Sequence, residues 1–202
     1  MSKFKAPSLI TPEGILMFPA FFTPATPLDP SKPGKYQCML AIRKDQQKSE
    51  AFKNLQMGIK EAIEAEFGAG TLMSSLKNKP IFKVSEIKKY DGMLDDDIIL
   101  RVSSERKPGI VDRNRQDIMN PLDVWSGQTA RLYVQPYAYD VPGNKGIKLT
   151  LNAVQIIRTD GERLDGQRPA SAVFGDEYAE QKSAGKPKAT KVPQDDTEDL
   201  FA

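Results

Sequence analysis

Between Gln128 and Tyr139 apolar and polar side chains alternate with little interruption, which is the period of a half-buried β-strand. Ala130, Leu132, Val134, Pro136 and Ala138 fall on one side, and Arg131, Tyr133, Gln135, Tyr137 and Tyr139 on the other. Alternation resumes from Gly146 to Arg158, with Ile147, Leu149, Leu151 and Ala153 set against Lys148, Thr150 and Asn152. The intervening Asp140-Val141-Pro142-Gly143-Asn144-Lys145 has turn composition, so the two runs predict a long antiparallel hairpin. A different period governs residues 45–67. Phe52, Leu55, Ile59, Ala62, Ile63 and Phe67 recur at three- and four-residue steps, predicting one amphipathic helix that Asp45 or Ser49 caps and that Gly68 and Gly70 end.

Weaker signals fill in the rest. Lys35–Arg43 reads as a strand after the turn Lys32-Pro33-Gly34, and Ile15–Phe22 as another, with Pro19 marking an edge or a bulge. Ile81–Val84, Ile98–Ser103 and Gly109–Asp112 are short strand candidates, while the remainder of Thr71–Asp97 reads mainly as loop. After Gly175 apolar content collapses. Lys182, Lys186, Lys188 and Lys191 are spaced by small residues and proline ahead of an acidic end, so the expected organisation is a folded domain over 1–175 and a disordered tail over 176–202.

Composition narrows the function. The 202 residues, 39% hydrophobic, suit one domain with extensions. No window approaches the roughly 20 apolar residues of a membrane span, and Met1–Ala20 lacks the order of a secretory signal, so a cytosolic protein without membrane contact is expected. Histidine is absent, which removes the usual general base near neutral pH and the commonest transition-metal ligand. The single cysteine, Cys38, sits in the apolar run Tyr36-Gln37-Cys38-Met39-Leu40 and reads as a small strand residue. Gly143-Asn144-Lys145-Gly146 lacks the spacing and hydroxyl of a phosphate-binding loop. Asp95-Asp96-Asp97 reads either as a solvated loop or as the carboxylates of a hard-cation site. A non-enzymatic protein without cofactor or metal is the expectation.

Charge is divided along the chain. The 29 basic residues face 27 acidic ones, and four of those acids, Asp195, Asp196, Glu198 and Asp199, lie in the last eight residues, leaving 29 against 23 in the body. A basic body with a polyanionic end suits a protein that binds a polyanion, for whose groove the tail competes; an inert solubilising end is the alternative. The outer row of the 128–139 strand is the candidate surface. Arg131 followed by Tyr133, Tyr137 and Tyr139 at two-residue steps suits base stacking beside a phosphate contact, with Lys148 on the partner strand. Arg101, Arg106, Lys107, Arg113 and Arg115 add positive charge, and Trp125 and Tyr36 are further aromatics for the same face. The same tyrosines can instead pack beneath another layer with only their hydroxyls wet.

Lys107-Pro108-Gly109-Ile110-Val111-Asp112-Arg113, Trp125-Ser126-Gly127, the run Ala130–Tyr139, Lys145-Gly146-Ile147 through Gln155, and Asp160-Gly161-Glu162-Arg163-Leu164 together carry a resemblance. Over most of residues 10–175 the chain resembles a family of bacteriophage single-stranded DNA-binding proteins once catalogued only as a domain of unknown function. That family is similar to the phage helix-destabilising proteins. The resemblance implies a mainly β, OB-fold-like Greek-key barrel with one inserted helix and an acidic C-terminal tail. It also implies sequence-tolerant binding of single-stranded DNA in phage replication, recombination or repair, as a monomer or dimer in the bacterial host cytoplasm. By the same resemblance Asp195, Asp196, Glu198, Asp199 and Phe201 match the partner-binding tail that recruits replication proteins such as a polymerase or helicase; here Ala202 follows the aromatic. RNA stays open beside DNA, and so does a phage structural or adaptor protein using the aromatic face between subunits.

Overall fold

The structure, a computed structural model, describes residues 6–27, 29–164 and 166. The chain divides into the units Met1–Gln167 and Arg168–Ala202. The described residues all belong to the first, and the expected linker and acidic tail lie outside them. Eight strands and one long helix follow in the order β1 (Leu9–Ile10), β2 (Gly14–Ala25), β3 (Lys35–Ile42), α1 (Glu50–Phe67), β4 (Ile81–Lys83), β5 (Ile98–Ser104), β6 (Gly109–Val111), β7 (Thr129–Val141) and β8 (Asn144–Arg158).

Pairing closes five of the strands on themselves. β3 runs antiparallel between β2 and β5, β5 lies parallel to β8, β8 pairs antiparallel with β7, and β7 returns to β2 through Gly14↔Ala130 and Ile15↔Thr129. This is a Greek-key barrel of the OB type, with the helix inserted between β3 and β5. The closure is loose in one place. Residues 78–83 enter between β5 and β8: the Arg101 amide donates to the Pro80 carbonyl at 2.8 Å, and the Ile147 amide to the Asn78 carbonyl at 3.0 Å.

The predicted alternation sets the core. Ala130, Leu132, Val134, Pro136 and Ala138 of β7 are buried, and Leu16, Phe21, Cys38, Leu40, Leu100, Val102, Ile147, Leu149 and Leu151 meet them inside the barrel. Pro136, which has no amide to donate, lies beyond the two β7 residues that β1 covers, where one flank of β7 has no partner strand among the described residues. The helix stripe joins the same core through Phe52, Leu55, Ile59, Ala62 and Ile63. Gly58 lets it settle against β1, since a Cβ there would run into Leu9.

Three local departures from the sequence reading have physical causes. The helix begins at Glu50 because the Ser49 hydroxyl accepts from the Phe52 amide at 3.2 Å; Asp45 caps only a short 3-10 turn, with no side-chain bond. A bulge sets Tyr133 opposite Ala153 and Val134 opposite Leu151, so beyond Asn152 the inward row is Val154 and Ile156 in place of Ala153. β2 extends to Ala25 by shifting register twice against β3, with Phe18 and Pro19 in the first irregularity.

A smaller apolar cluster lies outside the barrel, where Met17, Ala41 and Ile99 are covered by Val84 and Met93. Arg43 and Asp97 pin this cover. Their Nη1–Oδ2 distance is 2.6 Å, the other guanidinium nitrogen donates to the Gly92 carbonyl at 3.0 Å, and the Leu94 amide donates to Asp97 at 2.8 Å. Asp96 pairs with Lys44 and Asp95 with Lys89, so each acid of the triplet points to a different cation and the three do not converge on one centre. Among the described residues no helix is long and apolar enough to cross a membrane.

Candidate nucleic-acid interface

The cover over Ala41 and Ile99 stops short, and the outer faces of β3, β5, β8 and β7 beyond it are open. Register aligns Gln37 with Ser103, Ser103 with Thr150 and Thr150 with Gln135, a polar row running across all four strands. Two clefts of about 440 and 430 Å³ flank this row and share Ser103 and Lys148 along their linings, so together they make one groove. In an OB barrel this is the face formed by the second and third strands, which together with two of the barrel's loops receives oligonucleotides.

Charge in the groove is one-sided. Lys79, Arg101 and Lys148 line the first cleft, and Lys35, Arg106, Lys107 and Lys148 line the second, with Glu105 the one acid among these linings. Several of these cations lie over aromatic rings. Arg101 stands 4.5 Å from the Phe82 ring centre, Lys148 5.1 Å from Tyr137, and Lys107 5.3 Å from Phe22. Elsewhere on the barrel Arg43, Lys44, Lys89 and Arg158 are matched by carboxylates, and within the groove Lys35 stands 3.7 Å from Glu105. Lys79 has both kinds of neighbour: it is 5.6 Å from the Phe82 ring and 2.6 Å from Glu86. The Lys79 bond, followed by the Lys83 amide, holds the Glu86 carboxyl below its ordinary range.

Aromatic faces accompany the charge. The Tyr137 and Tyr139 rings stack at 6.4 Å with planes 21° apart, and Phe18 meets Tyr90 edge to face at 4.9 Å. Tyr139, Phe18 and Tyr90 line the first cleft, and Tyr137, exposed, lies beneath Lys148. Stacking faces interleaved with cations can hold splayed bases and their phosphates together, a combination that a duplex, whose base faces are covered, does not satisfy.

Of the residues expected at this surface, Arg101, Arg106, Lys107, Tyr139 and Lys148 line the groove, and Tyr137 adjoins it beneath Lys148. Tyr133 shares their side of β7 and is exposed, but it stands beyond Gln135 and lines neither cleft. Arg131 is farther along, where its Nε donates to Gln155 at 2.8 Å. Arg113 and Arg115 belong to a turn closed on the Asp112 carboxylate, and the cleft that Arg113 lines also holds Asp112, Asp117 and Asp123. Trp125 is half-buried in the turn ahead of β7, with Arg163 over its ring at 4.8 Å. Tyr36 alternates with Gln37 and so falls on the same side of β3 as the buried Cys38. Burial pushes the Cys38 thiol far above its usual range, as a core residue requires. The tail residues Asp195, Asp196, Glu198, Asp199 and Phe201 lie outside the described residues.

Sequence reasoning missed Phe18, Phe22, Lys35, Lys79, Phe82 and Tyr90. Lys35 and Gln37 follow from strand parity once Cys38 is placed inside. Phe18, Lys79, Phe82 and Tyr90 reach the groove through a bulge and through segments without periodicity.

The comparisons agree with this geometry. A family model described as "Enterobacter phage Enc34, ssDNA-binding protein" matches residues 8–184. No curated protein sequence matches the chain. Among solved structures, the single-stranded DNA-binding protein of bacteriophage Enc34 in complex with ssDNA is similar with a TM-score of 0.67 and 15% identity, covering 81% of this chain and 94% of that one. A C-terminal truncation of the same protein gives 0.65 and 14%, covering 77% and 87%. The single-stranded DNA-binding protein gp2.5 of bacteriophage T7 gives 0.51 and 16%, covering 89% and 100%. At such identities the structures establish a shared fold, and the family match over residues 8–184 establishes that the chain belongs to the Enc34 single-stranded DNA-binding protein family.

Proposed function

We propose that this protein binds single-stranded DNA, with little regard to sequence, along the groove across β3, β5, β8 and β7. The observation that carries the reading is the set of groove cations held over aromatic rings, Arg101 on Phe82, Lys148 on Tyr137 and Lys107 on Phe22. Phosphates meet the cations while bases stack on tyrosine and phenylalanine faces, each stacked base contributing ~1–3 kcal/mol. The protein acts by binding alone and catalyses no reaction. Its setting is phage DNA replication, recombination or repair in the host cytoplasm. The acidic end, Asp195 to Ala202, occupies the groove in the absence of DNA and, once displaced, recruits replication proteins such as a polymerase or helicase.

The test is a fluorescence-anisotropy titration of a labelled mixed-sequence single strand, the same sequence as duplex, and the matching RNA, at low and high salt. Tight binding of the single strand, weak binding of the duplex and loss of affinity with salt are expected, and the RNA curve sets the preference between the two backbones. Absence of binding by all three at low salt would overturn the reading and leave the aromatic face as a surface between protein subunits.

A further inference from the structure

Phe18 occupies a backbone conformation that β2 does not need. Its φ is 51°, in the left-handed region disfavoured for any residue with a Cβ, and Pro19 follows it and restricts it further. Such strain is ordinarily offset by burial. Here the ring belongs to neither apolar cluster and stays 47% exposed. Strain without a packing return is the pattern of a side chain aimed at something outside the fold.

What holds it is the segment Trp125-Ser126-Gly127, whose Ser126 carbonyl also accepts from the Leu164 amide at 2.9 Å. The Ser126 hydroxyl, almost fully buried, accepts from the Phe18 amide at 3.0 Å. Two residues earlier the Gly127 amide donates to the Leu16 carbonyl and the Leu16 amide to the Gln128 carbonyl, both at 2.8 Å. Gly127 has a φ of 111°, and a Cβ on it would collide with the Glu162 carbonyl. The bulge is therefore clasped from behind, and the Phe18 ring turns into the first cleft against Tyr90, 72° from its plane, with Lys88 5.5 Å from the Tyr90 ring centre.

We propose that Phe18 and Tyr90 form a nucleobase-stacking station at one end of the groove, Lys88 supplying a phosphate contact, and that Ser126 is the positioning residue that keeps Phe18 turned outward. The proposal rests on the single-stranded DNA-binding reading above. It adds a terminal station to the path, at the end away from Lys35 and Lys107.

The test uses the full chain and oligothymidylates of increasing length. Phe18→Ala binds long oligomers about 5- to 150-fold more weakly, the equivalent of one stacked base at ~1–3 kcal/mol, and the deficit shrinks for oligomers too short to reach this end. Phe18→Gly relieves the left-handed backbone, so it melts no lower than Phe18→Ala yet shows the same binding deficit. Ser126→Ala also weakens binding, and combined with Phe18→Ala it adds nothing to the single change, a coupling that a merely structural serine does not produce. Wild-type affinity of Phe18→Ala at every length, or full additivity of the two changes, would overturn the station while leaving the groove intact. A wild-type protein that binds no single strand would instead mark failure of the groove itself.

Discussion

Lys148 lines both clefts, so it is the cation whose removal most directly tests the path of the phosphates. Lys148→Met keeps the half-buried stem and deletes the charge. If the six groove cations Lys35, Lys79, Arg101, Arg106, Lys107 and Lys148 each neutralise one phosphate, the log-log dependence of affinity on salt has a slope of about −4, at ~0.7 per contact for single strands. The variant's slope is then about −3.5. Over a fourfold rise in salt the wild type loses about 300-fold in affinity and the variant about 130-fold, so their curves converge as salt rises. Arg131→Met removes the same charge from the outer side of the neighbouring strand β7 but outside the groove, and it leaves the slope at the wild-type value. Anisotropy titrations at five or six salt concentrations supply all three slopes. A slope reduced equally by Arg131→Met and Lys148→Met would refute a localised path and return the binding surface to the whole length of β7.

The charge division along the chain makes deletion of Gln194–Ala202 tighten single-strand binding, most strongly at low salt; unchanged or weaker affinity counts against tail competition. Arg43→Met leaves the Asp97 carboxylate, 1% exposed, without its cation, a loss of about 3 kcal/mol or more read as a shifted urea midpoint, with DNA affinity unaffected because Arg43 lines neither cleft. Glu86, which lines neither cleft but pairs with the groove residue Lys79, is acid-sensitive. Its folded value lies below its ordinary 4.5, so its contribution is complete above about pH 4.5 and lost as pH falls through the folded value. Glu86→Gln therefore melts below wild type at neutral pH, and the gap closes on acidification.

The parts of the fold legible from the chain were those governed by a repeating period. β7 alternates from Ala130 to Tyr139 with its inward row buried, and α1 repeats its stripe over five turns, so burial of one face decides their type. Half of the groove could be read for the same reason: Tyr137, Tyr139 and Lys148 stand on strands whose parity is unambiguous. Parity alone also over-reached. It placed Arg131 and Tyr133 with Tyr139 because they share a side, whereas the groove is bounded across the strands, by where β3 and β5 approach β8. Tyr36 failed by one residue, its inward position set by the pairing of Cys38 with Val102 inside the barrel. Phe82 and Lys79 sit in the segment that fills the gap between β5 and β8, which has too few residues to show any period.

Placing cations over rings instead of beside carboxylates has an energetic consequence for binding. A cation committed to an acid must surrender that partner before it can take a phosphate, and the acid then repels the incoming strand. Arg101, Lys148 and Lys107 rest on the faces of Phe82, Tyr137 and Phe22, whose attraction is smaller and carries no net negative charge. The groove therefore keeps its positive potential while its side chains stay ordered, so a phosphate gains its contacts with little loss of existing interactions or side-chain freedom. The same rings are then neighbours of the bases attached to those phosphates. On the proposed reading one set of residues thus meets both halves of a nucleotide, without reference to which base it carries, and this supports tolerance of sequence together with strong dependence on salt.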